Sequence, residues 1–184
     1  MSVDARIWLA AAAVLLTAGC SAETPPVALP TVAPVPVEVV AASSGGACRL
    51  LDFGVIAEHT GTRFDVAAAV DRGDTHTCVL RAGAALLPEL TLSVTETSID
   101  APGFTQDVLP RGATKVNKLG KIAYRQHLPK SGKAGPVAEV GWLATEGRLA
   151  TLRWTCSHGS DAAEAEKIAG KLVNLAKVVD TRQL

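Results

Sequence analysis

Two stretches of period-two apolarity flank Thr145-Glu146-Gly147, and they constrain the fold more than any other feature of this chain. Ala138, Val140, Trp142 and Ala144 form one apolar set; Ala150, Leu152, Trp154 and Cys156 form the other. Successive strand residues point to opposite faces, so the turn length decides whether the two sets share a face. A two-residue turn at Glu146-Gly147 pairs Trp142 with Thr151 and sets them on opposite sides. A three-residue loop, Thr145 to Gly147, pairs Trp142 with Ala150 and Val140 with Leu152, with Gly147 in the left-handed region such loops need. The spacing therefore predicts the three-residue loop and a hairpin with one apolar face.

Other segments supply partners for that face. Thr77 to Ala82 alternates with Cys78, Leu80 and Ala82 on one side, and Leu90, Leu92 and Val94 alternate with Thr91, Ser93 and Thr95. Leu119 to Leu128 reads as a strand with Ile122 and Tyr124 inward. Residues 62–74 fit a strand or an irregular run. Ser98 to Arg111 is mostly loop with room for a short helical turn, and Pro129 to Pro136 is a second loop. Leu50 to Thr60 reads as a short helix stopped by Gly61. Ile168, Leu172, Leu175 and Val179, backed by Ala165 and Ala176, recur at helical spacing behind Asp161 and Glu164, which suit a helix start. The expected fold is α+β: a single antiparallel sheet of about 4–6 strands, with an N-terminal and a C-terminal helix packed on one face.

The first residues address the chain. Arg6 precedes ten apolar residues, Ile7 to Leu16, too short a run for the roughly 20 helical residues that span a bilayer. Leu16-Thr17-Ala18-Gly19-Cys20 looks like a bacterial lipobox, which makes 1–19 a lipoprotein signal peptide and Cys20 the lipidated residue. An ordinary cleaved signal with Cys20 unmodified is the alternative. Residues 20–47 hold five of the ten prolines and the run Ser43-Ser44-Gly45-Gly46, the composition of a tether without packed structure. The domain is expected over 48–184. Eighteen bases balance eighteen acids, so no global charge points to nucleic acid.

With Cys20 acylated, Cys48, Cys78 and Cys156 remain, and an oxidising compartment favours pairing two of the three. His76-x-Cys78 and Cys156-x-His158 have metal-ligand spacing, yet disulfides and solvated strand ends explain them better; no metal or other cofactor is expected. Ser157, His158, Ser160 and Asp161 invite a hydrolase reading, but there is no G-x-S-x-G turn, and helix capping is the better use of Ser160 and Asp161. Arg111 to Lys133 carries seven bases and no acid: Arg111, Lys115, Lys118, Lys121, Arg125, Lys130 and Lys133. A solvated strand with its loops is the bland account. The functional one is an anionic-ligand patch that meets an envelope polymer or lipid headgroups.

The lipobox, the tether, Cys48 heading Cys-Arg-Leu-Leu, Thr60-Gly61-Thr62, Thr77-Cys78-Val79 on a strand and the Ala/Lys-rich last helix together resemble uncharacterised cell-envelope lipoproteins of mycobacteria and related actinobacteria, grouped as domains of unknown function. The resemblance covers residues 48 to about 180 and implies a Cys48–Cys78 bridge with Cys156 left free. It offers no enzymatic site. The expected function is non-enzymatic: a lipid-anchored binding or accessory module on the extracytoplasmic face of the cell membrane. Its partners are the membrane through the anchor, and an anionic polymer, a lipid or another envelope protein. A hydrophobic-ligand carrier is the alternative, and an envelope hydrolase a weaker one. Mass spectrometry of the membrane-extracted protein should show an N-terminus at acylated Cys20; a lipid-free start at Ser21 or later refutes it.

Overall fold

Alternating apolarity builds the sheet, and the computed structural model describes it over residues 41–184. The expected signal peptide, Cys20 and the expected tether up to residue 40 lie outside the described residues. The strands are β1 (Val66–Arg72), β2 (Thr75–Arg81), β3 (Glu89–Glu96), β4 (Thr114–Val116), β5 (Ile122–Leu128), β6 (Val137–Leu143) and β7 (Arg148–Thr155). They form one antiparallel sheet in the order β1-β2-β3-β7-β6-β5-β4. The β6–β7 hairpin thus stands inside the sheet, joined on one side to β3 and on the other to β5.

That hairpin has the register its apolar pattern demands. Trp142 pairs with Ala150 and Val140 with Leu152. Ala144 N–H donates to the Arg148 carbonyl at 2.8 Å, closing a three-residue loop in which Gly147 has φ 75°. Both apolar sets then reach the main core beside Cys78, Leu80, Leu90, Leu92 and Val94. Fully burying each such leucine or valine contributes about 1.5–3 kcal/mol before entropy is subtracted.

Seven strands exceed the expected four to six, for two reasons. β1 was obscured because neither of its faces is strongly apolar: Val66 and Val70 are exposed, and alanines fill the other side. Gly73 and Asp74 turn it directly into β2, Arg72 pairing with Thr75. β4 has only three residues, too few to show a period.

Two longer helices adjoin the core. In α1 (Phe53–Thr60), the Asp52 side chain accepts from Val55 N–H at the start, and Gly61 at φ 78° ends it. α3 (Ala162–Ala176) starts at Asp161, whose carboxylate accepts from Glu164 N–H at 2.8 Å. α3 packs against β5 and β6, and α1 against α3. Ile56, Ile168, Leu172 and Leu175 join the cluster that holds Val140 and Trp142.

The opposite sheet face carries a second, smaller cluster. α2 (Ala101–Gly103) runs into one wide turn, Phe104–Val108, and delivers Phe104, fully buried, against Tyr124 and Leu143. Ile122 and Tyr124 are therefore inward, but toward Phe104, while Ala123 between them faces the main core.

Order also begins earlier than residue 48. Ala41 and Ala47 are fully buried in two tight turns, Ala41–Ser44 and Gly46–Leu50, and the Ser44 hydroxyl donates to the Ala67 carbonyl at 2.9 Å. Small side chains let this part of the proline-poor end of the tether lie flat on β1 and β2. Cys48 is bonded there to Cys78 of β2, across a sequence separation of 30, and Cys156 is unpaired. Closing a loop of that size removes about 3–4 kcal/mol of unfolded-chain entropy. A Cys48→Ala, Cys78→Ala double variant should lose about that much stability in denaturant unfolding; unchanged stability would show that the bridge adds nothing to the packing around it.

Candidate functional site

The basic segment runs along one sheet edge and splits there. Edge strand β4 holds Lys115, with Arg111 just before it and Lys118 and Lys121 in the turn to β5. All four are exposed. Lys130 and Lys133 lie at the other end of β5, in the loop to β6, about 20 Å away along a seven-residue strand. Arg125 is committed elsewhere: it shares Ala123's face and meets Glu166 of α3 at 3.0 Å, and His127 reaches the same carboxylate at 3.3 Å. The seven bases thus form an edge group of four, a distant pair and one ion-paired arginine.

A groove of about 300 Å³ opens where the edge group meets the end of α3. The β4–β5 turn contributes Lys118, Leu119 and Gly120, strand β6 contributes Trp142, and the chain after α3 contributes Lys177, Val179 and Asp180. Sequence fixes this turn tightly. Lys121 N–H donates to the Leu143 carbonyl at 2.8 Å, and a Cβ on Gly120 would lie 2.3 Å from that oxygen, so only glycine fits. Lys118, at φ 59°, is the one non-glycine with positive φ among the described residues.

Charges around the groove are unevenly matched. Asp180 accepts from Arg182 at 2.7 and 2.8 Å, and these bonds hold its carboxyl down at about 2. The Thr145 hydroxyl donates to Glu146 at 2.5 Å and lowers that carboxyl as well. Arg148 donates to the Thr181 carbonyl and, at 2.8 Å, to that of Leu184, fixing the last residues of the chain. Lys118 and Lys177 have no ion-pair partner among the described residues.

On the other face lies a polar centre that the sequence reading missed. Glu139 is 7% exposed within an otherwise apolar strand, β6. Tyr124 and Gln126 of β5 donate to its Oε1 at 2.9 and 2.8 Å, and Arg153 of β7 stands 3.4 Å from Oε2. Gly141 makes this possible: a Cβ there would sit 2.5 Å from the Tyr124 ring, which instead lies across the strand. Burial, and then the Glu139 charge, raise the Tyr124 hydroxyl well above its ordinary value, so it remains a donor. A lone carboxylate two residues before a glycine in VAEVGWL was the available signal. Every buried side-chain polar atom among the described residues has a partner, so the centre is a satisfied network that also orients Arg153, half of whose side chain is exposed.

The His/Cys pairs do not meet. β3 separates β2 from β7, and the Cys78 thiol is taken by Cys48. His76 instead bonds Asp71 at 2.8 Å. Asp161 caps α3, as its position suggested. Comparison with family models, with curated proteins and with solved structures finds no match.

Cys156 is 1% exposed, and burial, reinforced by Glu164, pushes its thiol up to about 11. A thiol raised in the folded state favours folding below its unfolded value, near 8.5–9, and loses that contribution as pH rises toward 11. Stability should therefore fall by about 2–3 kcal/mol between pH 9 and 11, and a Cys156→Ala variant should lack that part of the decline. Superimposable pH profiles for the two proteins would refute it.

Proposed function

We propose that the protein is a non-enzymatic, lipid-anchored binding module of the actinobacterial envelope type. In this reading Cys20 carries the anchor on the extracytoplasmic face of the cell membrane, and the domain meets an anionic envelope polymer or lipid surface. α1 and α3 serve as the joint cover of one sheet face, leaving the β4 edge as the working surface. Among the described residues no helix is long and apolar enough to cross a membrane.

One observation carries the proposal: Arg111, Lys115, Lys118 and Lys121 gather at edge strand β4 with no carboxylate among the described residues paired to them. No acid occurs between Val108 and Ala138. Residues 48–107, by contrast, carry nine acids and four bases, and three of those acids, Asp71, Glu89 and Glu96, stand on β1 and β3, across the sheet from β4. β1 lies six strand spacings from β4, roughly 29 Å, which exceeds the screening length of about 8 Å at physiological salt. The β1 carboxylate Asp71 therefore exerts little force on a polyanion that approaches the basic edge. Unpaired strand edges are also the natural place for an extended partner, and charge on them keeps other sheets away.

The test is charge reversal of the edge alone. With about 1 kcal/mol per lysine near an anionic surface, Lys115→Glu, Lys118→Glu, Lys121→Glu should weaken binding of dextran sulfate to the detergent-solubilised full chain by roughly 100-fold at low salt. Neutral dextran should bind neither protein. Equal affinity of the wild type and the triple variant for dextran sulfate would reject the edge as the contact surface.

A further inference from the structure

The groove between the β4–β5 turn and the end of α3 gives the edge's unmatched charge a shape. Lys118 enters it from the turn and Lys177 from the residue after α3, two elements far apart in sequence. Of its two carboxylates, Asp180 is ion-paired with Arg182, while Glu146 accepts only from the neutral Thr145 hydroxyl and keeps its charge; Lys118 and Lys177 have no ion-pair partner among the described residues. Three bases, Lys118, Lys177 and Arg182, thus face two acids, Glu146 and Asp180, and the net positive charge of the lining attracts an anion.

The site is also held in place. Lys118 occupies a left-handed conformation that side chains other than glycine, asparagine and aspartate rarely take. Gly120 lies too close to the Leu143 carbonyl to carry a Cβ, and Lys121 N–H is bonded to that same oxygen. The turn bearing Lys118 is therefore clamped to the end of β6, which reduces the ordering cost of binding. A volume of about 300 Å³ is at the small end of ligand sites, enough for a headgroup and too small for a folded partner. Leu119, Trp142 and Val179 supply apolar wall beside the two amines.

We propose that this groove binds a single phosphate group, a mono- or diester, held between the ammonium groups of Lys118 and Lys177 with its organic part against Leu119 and Val179. Lysine acts on phosphate as a point charge, and two lysines from separate elements suit a group whose anionic oxygens diverge. The C-terminal dipole of α3 opposes an anion here, so binding needs both amines rather than either one. The proposal rests on the reading of the β4 edge as the anion-facing side and names the chemistry it selects. The phosphate has two possible sources, a membrane lipid or a soluble ester.

Backbone amide shifts of the detergent-solubilised full chain should report binding at Leu119, Gly120 and Lys177 to Thr181. Two titrants separate the sources: inorganic phosphate and dihexanoyl phosphatidic acid, with sulfate-free chloride as the ionic-strength control. Shifts with both mark a phosphate site; tighter binding of the lipid assigns the headgroup, and equal binding assigns a free ester. Lys118→Asn keeps a residue that tolerates the left-handed turn, and Lys177→Gln leaves α3 intact; each should weaken binding by about fivefold, and the pair should abolish the shifts. Lys115→Glu with Lys121→Glu should spare this titration while lowering dextran sulfate binding. Edge binding that survives that pair sinks the edge reading alone. No phosphate-specific shift in the wild type, or unchanged shifts in the Lys118→Asn, Lys177→Gln protein, overturns the groove.

Discussion

The register of the β6–β7 hairpin is the constraint on which the rest of this domain depends. A loop one residue shorter would turn Val140 and Trp142 away from Leu152 and Trp154, and no single face would remain for α3 to cover. Because the hairpin lies inside the sheet, its register is passed to β3 on one side and β5 on the other. Leu152 stands opposite Leu92 and Ala123 opposite Trp142, so one local choice at Gly147 aligns the core across several strands. It also sends Arg125 toward Glu166 and Tyr124 toward Glu139, and so decides which of the charged residues are consumed by the fold.

The groove and the basic edge follow from that arrangement. β4 and β5 come after β1 to β3 in the chain and are added to the far side of the central hairpin. The acid-free segment of the sequence thereby becomes an edge of the sheet. Had β4 and β5 been inserted beside β3, the same residues would have been paired on both sides and offered no free edge.

How much of this was legible beforehand differs by residue, and the reasons are physical. The hairpin, α1 and α3 were readable because one period governs each and a glycine or aspartate marks its ends; Gly147, Gly61 and Asp161 all occupy the positions their chemistry suggested. β1 was ambiguous because alanine and exposed valine give little contrast between faces. Tyr124 could be read as buried, but its partner could not: Phe104 arrives from a Pro/Gly-rich segment whose path no period describes. The Glu139 centre required knowing that Gly141 lies under Tyr124. Of the seven bases, spacing along β5 separates Arg125 from the strand-end lysines, but only the position of Glu166 shows that Arg125 is engaged.

The Cys48–Cys78 bridge has a mechanical side. The chain enters the packed region at Ala41, and seven residues later it is covalently joined to β2, a strand hydrogen-bonded on both edges. Were the upstream chain held, tension on it would pass through that bond into the sheet, across many hydrogen bonds loaded together. Only the short segment ahead of Cys48 can peel. The bridge would then work as a strain relief at the entry to the folded body, a role that stability measured at rest would not register.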